Sequence, residues 1–94
     1  MEETVRNESQ MILDHFGKDV QIVKIGEECS ELATVIFKSL CPTKDPSDIE
    51  EELYSELADV YNLMKQALLI YDSERIKSIA QMKRSYCIAK YVKD

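Results

Sequence analysis

The sequence predicts an all-α domain, on three observations: long stretches keep apolar residues at three-to-four spacing, only two glycines and two prolines interrupt the chain, and no segment shows strand alternation. A first helix is expected from Glu3 to Phe16, with Val5, Ile12, Leu13 and Phe16 apolar and Gly17 as its C-terminal stop. Asp19 is placed to cap a second helix, Asp19 to Leu40, whose apolar positions are Val20, Val23, Leu32, Val35, Ile36 and Leu40. Gly26 lies inside it, at a cost of about 1 kcal/mol relative to alanine, so it is either a tolerated small residue or a point of close approach for a backbone or ligand. Cys41 to Ser47, with Pro42 and Pro46, reads as the one substantial loop, and Ser47 with Glu50 has the spacing of a capping box. A third helix follows through Ile49, Leu53, Leu57, Val60, Leu63, Met64, Ala67 and Leu68 to Tyr71. Asp72 or Ser73 then caps a fourth, reaching Tyr91.

At 94 residues this is one small domain, 1–94, with a large share of its surface left exposed if it folds alone; a partner subunit would cover part of it. Hydrophobic residues at 45% and charged residues at 32% fit a globular protein and exclude a disordered tail. The longest apolar run, Ala67 to Tyr71, falls far short of the roughly 20 residues a membrane helix needs. Met1 to Gln10 is acidic and polar where a secretory signal would be basic and then apolar, so a cytoplasmic location is expected. Cys29, Cys41 and Cys87 form no CxxC pair and are odd in number, which makes reduced thiols the default. A net charge of −6 opposes a nucleic-acid backbone, and the only local basic cluster is Lys83 with Arg84; the acidic clusters favour cations instead.

Those acids sit where a simple core would not tolerate them. At about 100° per residue, Glu28, Glu31, Leu32 and Val35 share one quadrant of the second helix, and Glu52, Glu56, Asp59, Val60, Leu63 and Ala67 share a similar arc of the third. Burying an unpaired carboxylate costs several kcal/mol, so basic partners, protonation or a metal must compensate. Side chains three apart on a helix lie about 5–6 Å apart at Cβ, which lets Glu28/Glu31 and Glu56/Asp59 each converge on one ion. Facing each other, the two pairs would make a four-carboxylate cage with the hard oxygen ligands that Mg²⁺ prefers. A di-iron bundle would need Glu-x-x-His pairs, and the single histidine, His15, is remote in sequence from both acidic pairs.

The pattern Glu27-Glu28-x-x-Glu31, then Glu56-x-x-Asp59 on the next helix, resembles the MazG-like, all-α nucleoside triphosphate pyrophosphohydrolases. Lys24 upstream, the stretches EECSEL and EELYSELADV, and the late Lys83–Arg84 pair extend the resemblance over nearly the whole chain. It implies a four-helix bundle of that type completed by a second subunit, as a homodimer or homotetramer. It also implies Mg²⁺ held by Glu28, Glu31, Glu56 and Asp59, with Glu27 holding or activating the attacking water. The reaction implied is hydrolysis of nucleoside or deoxynucleoside triphosphates to the monophosphate and pyrophosphate. Lys24, Lys83 and Arg84 are candidate phosphate ligands, from the same chain or another subunit, and Asn62 and Gln21 are candidates for the base or sugar. Tyr54, Tyr61, Tyr71 and Phe37 are candidate stacking partners, although aromatic residues at helical spacing ordinarily serve core or interface. Two alternatives remain: phosphoribosyl-ATP pyrophosphatase, which KIGEE at Lys24–Glu28 also resembles, and a non-catalytic helical module whose acidic groove binds a cation or basic partner.

Overall fold

A computed structural model describes residues 1–40 and 45–93, and these form helices joined by short connections: α1 (Glu3–Phe16), α2 (Lys18–Leu40), α3 (Pro46–Ile70) and α4 (Ser73–Cys87). The four expected helices are all present, and among the described residues there is no strand. A π-helical segment, Ile88–Val92, closes the chain with a Lys93 N–H to Ile88 carbonyl bond of 2.9 Å, so the fourth helix is α-helical only to Cys87 rather than to Tyr91.

The boundaries follow from local chemistry. Gly17 adopts φ 91°, a left-handed conformation that costs glycine little, and its N–H caps the Leu13 carbonyl of α1 at 2.8 Å. The Gly17 carbonyl accepts from Gln21 N–H at 3.1 Å, so α2 begins at Lys18 and Asp19 is a first-turn acid instead of the cap. On α3 the cap is Asp45, whose carboxylate accepts from Ser47 N–H at 2.8 Å and Ser47 Oγ at 2.6 Å; that pair of bonds holds its pKa below the ordinary value. Pro46 then occupies the first turn, where a missing N–H costs nothing, and Ser47 with Glu50 does not form the expected capping box. The remainder of the expected loop, 41–44, lies outside the described residues. Asp72 caps α4 by accepting from Arg75 N–H at 3.1 Å.

α2 and α3 form the principal pair, and α1 packs against both. Val35 at 3% exposure, Ile49 and Leu63 are the buried apolar residues of this seam. Lys38 bridges to Glu52 across it at 3.6 Å, which accounts for one of the acids on the α3 stripe. α4 approaches α3 and its own π-helical continuation but neither α1 nor α2, and it has no buried residue. The radius of gyration is 16.4 Å, against the roughly 12 Å expected of a compact chain this size, because α4 leaves the three-helix body. The chain alone therefore presents three packed helices and an arm. No helix among the described residues is long and apolar enough to cross a membrane.

Candidate metal centre and cleft

Glu28 and Glu31 on α2 meet Glu56 on α3, one carboxylate oxygen from each lying within 4.8 Å of the others. Glu28 is 7% exposed, the only acid among the described residues that is buried to this degree. Glu56 is half-buried and Glu31 exposed. Lys24, one turn before Glu28, places Nζ 3.3 Å from Glu28 Oε1, and this contact lifts the lysine pKa above its ordinary value. Glu28 Oε2 and Glu56 Oε2 are buried without a hydrogen-bond partner. A single lysine thus faces three converging carboxylates, and two buried oxygens have no donor.

The electrostatic consequence is visible in the neighbours. Close contact with the Glu28 carboxylate and like-charge repulsion from it raise the Glu31 pKa. Desolvation first, then repulsion from Glu31, Glu28 and Asp59, raises that of Glu56. A divalent cation among these oxygens would reverse the penalty, and the orphaned Oε2 atoms supply hard, deprotonatable ligands of the kind Mg²⁺ takes.

Asp59 is exposed and is not one of the three converging acids. It lines the neighbouring cleft beside Glu28 and acts on Glu56 at longer range. The cleft, about 390 Å³, runs between α2 and α3 and is lined by Phe16, Val20, Gln21, Lys24, Glu28, Asp59, Asn62, Leu63 and Gln66. It brings Gln21, Lys24 and Asn62 together beside Glu28 and Asp59. Glu27 is exposed on the outer shoulder of α2, lining a separate depression with Asp19, Val20, Val23 and Lys24. Lys83 and Arg84 are exposed on α4 and line no part of the cleft, so the same-chain route to the site expected for them does not exist in this arrangement.

Two cleft residues escaped the sequence reading. Gln66, 3% exposed, accepts a 2.7 Å hydrogen bond from Gln21 Nε2 across the α2–α3 seam. Its signal was its place two turns after Asp59, mirroring the two turns from Gln21 to Glu28. Phe16, read only as the apolar end of α1, supplies the aromatic rim, whereas Phe37, Tyr54, Tyr61 and Tyr71 are exposed elsewhere. No other part of this chain approaches within 4 Å of where a Cβ at Gly26 would lie, so no backbone of the same chain makes the close approach there. Cys29 and Cys87 are free thiols at the surface. No family model, curated protein or solved structure matches the chain.

Proposed function

We propose that this chain is a Mg²⁺-dependent pyrophosphohydrolase acting on nucleoside or deoxynucleoside triphosphates, releasing the monophosphate and pyrophosphate. The observation that supports it best is the convergence of Glu28, Glu31 and Glu56 with two buried carboxylate oxygens left unpartnered, at one end of a cleft between α2 and α3. An acidic surface patch would solvate its oxygens; this one withholds two of them from both water and protein donors.

Bound there, Mg²⁺ would neutralise charge on the triphosphate and make a coordinated water more acidic. Glu28, Glu31 and Glu56 would hold the ion, and the family resemblance implies Asp59, which lines the adjoining cleft, as a fourth ligand. Lys24, already drawn towards the acids, is placed to bind a phosphate oxygen. The family resemblance would give Glu27 the attacking water, although in this chain alone it lines a depression separate from the cleft. A new phosphorus–oxygen bond forms to that water as the bridging bond of the anhydride breaks, the water gives up its proton, and pyrophosphate leaves.

The same reading requires a second subunit. Val20, Val23, Phe37, Leu40, Tyr54 and Tyr61 are exposed, as are Ile79, Met82 and Tyr86 on α4. A homodimer or homotetramer would cover them. Lys83 and Arg84 belong to the phosphate-binding set only if that second copy delivers them.

Pyrophosphate release from a panel of eight ribo- and deoxyribonucleoside triphosphates, comparing wild type with Glu56→Ala, tests the proposal. Metal-dependent release that the variant loses is expected. A folded, metal-loaded protein that turns over none of the eight would refute it; turnover of phosphoribosyl-ATP would then identify the related reaction, and cation binding without any turnover a non-catalytic acidic module.

A further inference from the structure

Along the cleft, polar side chains of the two antiparallel helices are arranged in three successive turns, or tiers, of which the first is joined by a direct bond. α2 contributes Gln21, Lys24 and Glu28 and α3 contributes Gln66, Asn62 and Asp59, in the same three-then-four spacing read in opposite directions. Each tier is thus one helical turn from the next. Gln21 meets Gln66 in a 2.7 Å amide–amide bond, Lys24 and Asn62 occupy the middle, and Glu28 and Asp59 stand at the acidic end. Seven residues of helix separate the outer tiers, about 10 Å at 1.5 Å per residue. That is comparable to the reach of a nucleotide from its base edge to its 5′-phosphate.

The amide tier is unusual in being buried and yet only half used. Gln21 and Gln66 are 5% and 3% exposed, and both line the cleft. Their mutual bond uses Gln21 Nε2 and Gln66 Oε1; among the described residues, Gln21 Oε1 and Gln66 Nε2 make no other hydrogen bond. One acceptor and one donor therefore remain on two residues that line the cleft, with the apolar surfaces of Phe16, Val20 and Leu63 alongside.

We infer that Gln21 and Gln66 read the hydrogen-bonding edge of the substrate's nucleobase, which lies at the Gly17 end of the cleft with its phosphates at Glu28 and Asp59. This rests on the proposed hydrolysis of nucleotides and adds the substrate's direction and the residues that recognise its base. Every nucleobase carries an adjacent donor and acceptor on one edge. Flipping both amides together reverses the pattern offered while keeping the Gln21–Gln66 bond, so the pair accepts a donor–acceptor edge in either order. The substrate class is consequently nucleotides of several bases rather than one, with preferences well short of the roughly 10⁴-fold that a fixed polar pattern imposes.

The test uses the full chain with ¹⁵N-labelled side-chain amides and Mg²⁺. Adding a nucleoside 5′-monophosphate is expected to shift the Gln21 and Gln66 side-chain signals, while inorganic pyrophosphate shifts backbone signals around Glu28 and leaves both glutamine side chains unmoved. In the variant Gln21→Leu/Gln66→Leu, which removes both polar groups together and so preserves packing, monophosphate binding should weaken at least tenfold and pyrophosphate binding should not change. Glutamine signals unmoved by nucleotides of all four bases, a variant that binds them as the wild type does, or a 10⁴-fold preference for one base would overturn the inference. The two readings fail separately: shifted glutamines without turnover would refute hydrolysis and retain base recognition, and turnover with unmoved glutamines would do the reverse.

Discussion

Replacing Gln66 by leucine should destabilise the protein more than replacing Gln66 and Gln21 together. The two amides are nearly completely buried and joined at 2.7 Å across the α2–α3 seam. Removing one partner leaves Gln21 Nε2 without its acceptor, and an unsatisfied buried amide costs about 1–3 kcal/mol. In a domain of this size 1 kcal/mol moves Tm by about 4–8 °C, so a loss near 2 kcal/mol corresponds to a drop on the order of 10 °C. Gln21→Leu alone should cost a similar amount. The double variant replaces both polar groups by an apolar contact of similar volume and should lie close to the wild type, so that the two effects are strongly non-additive. Thermal and urea unfolding of the four proteins, at one protein concentration to hold any self-association constant, measures the cycle. Additive losses would show that the two amides do not depend on each other and would refute the tiered cleft as drawn.

Three further outcomes follow from the same geometry. Glu31 and Glu56 have folded-state pKa values raised above 4.5, so between 4.5 and those raised values the folded protein binds protons that the unfolded chain has released; metal-free stability should fall as pH rises through that window. Mg²⁺ should restore it, with a Tm gain that grows with pH, and a gain independent of pH in differential scanning calorimetry would contradict the ligand assignment. Asp72→Ala removes the carboxylate that accepts from Arg75 N–H and should cost about 1 kcal/mol in urea unfolding, an effect that would be absent if α4 were held mainly by other contacts. Gly26→Ala, whose added Cβ meets nothing within 4 Å, should stabilise the protein by up to about 1 kcal/mol; destabilisation would mean that another surface covers this position.

Much of the fold was legible because helix periodicity is a local property. The apolar face of α2 correctly placed Val35 at the seam, and that of α3 placed Leu63 there, which carried Glu28 and Glu56 to the same interface. The start of α3 was misread because Ser47 and Asp45 both have capping chemistry; Pro46, which favours the first helical position, was the sign that the cap stood just before it. What the sequence could not supply was how far each helix is rotated about its axis in the packed pair. That rotation brings Glu28 and Glu31 to Glu56 while leaving Asp59 facing the cleft, although Glu56 and Asp59 are one turn apart. It also decides that Gln66 meets Gln21, a contact between residues far apart in the chain. The course of α4 was equally hidden, since no local pattern says which neighbour an amphipathic helix will choose, and here it leaves the body that α1, α2 and α3 form.

The central claim is that the carboxylates of α2 and α3 serve cleavage of a nucleoside triphosphate to monophosphate and pyrophosphate. ³¹P NMR of a deoxynucleoside triphosphate with Mg²⁺ and the protein, run beside Glu28→Gln, tests it most directly because it identifies both products at once. We expect monophosphate and pyrophosphate signals to grow in equal amounts with the wild type, and to be absent with the variant or without metal. Orthophosphate and nucleoside diphosphate products, or equal rates from wild type and Glu28→Gln, would contradict it.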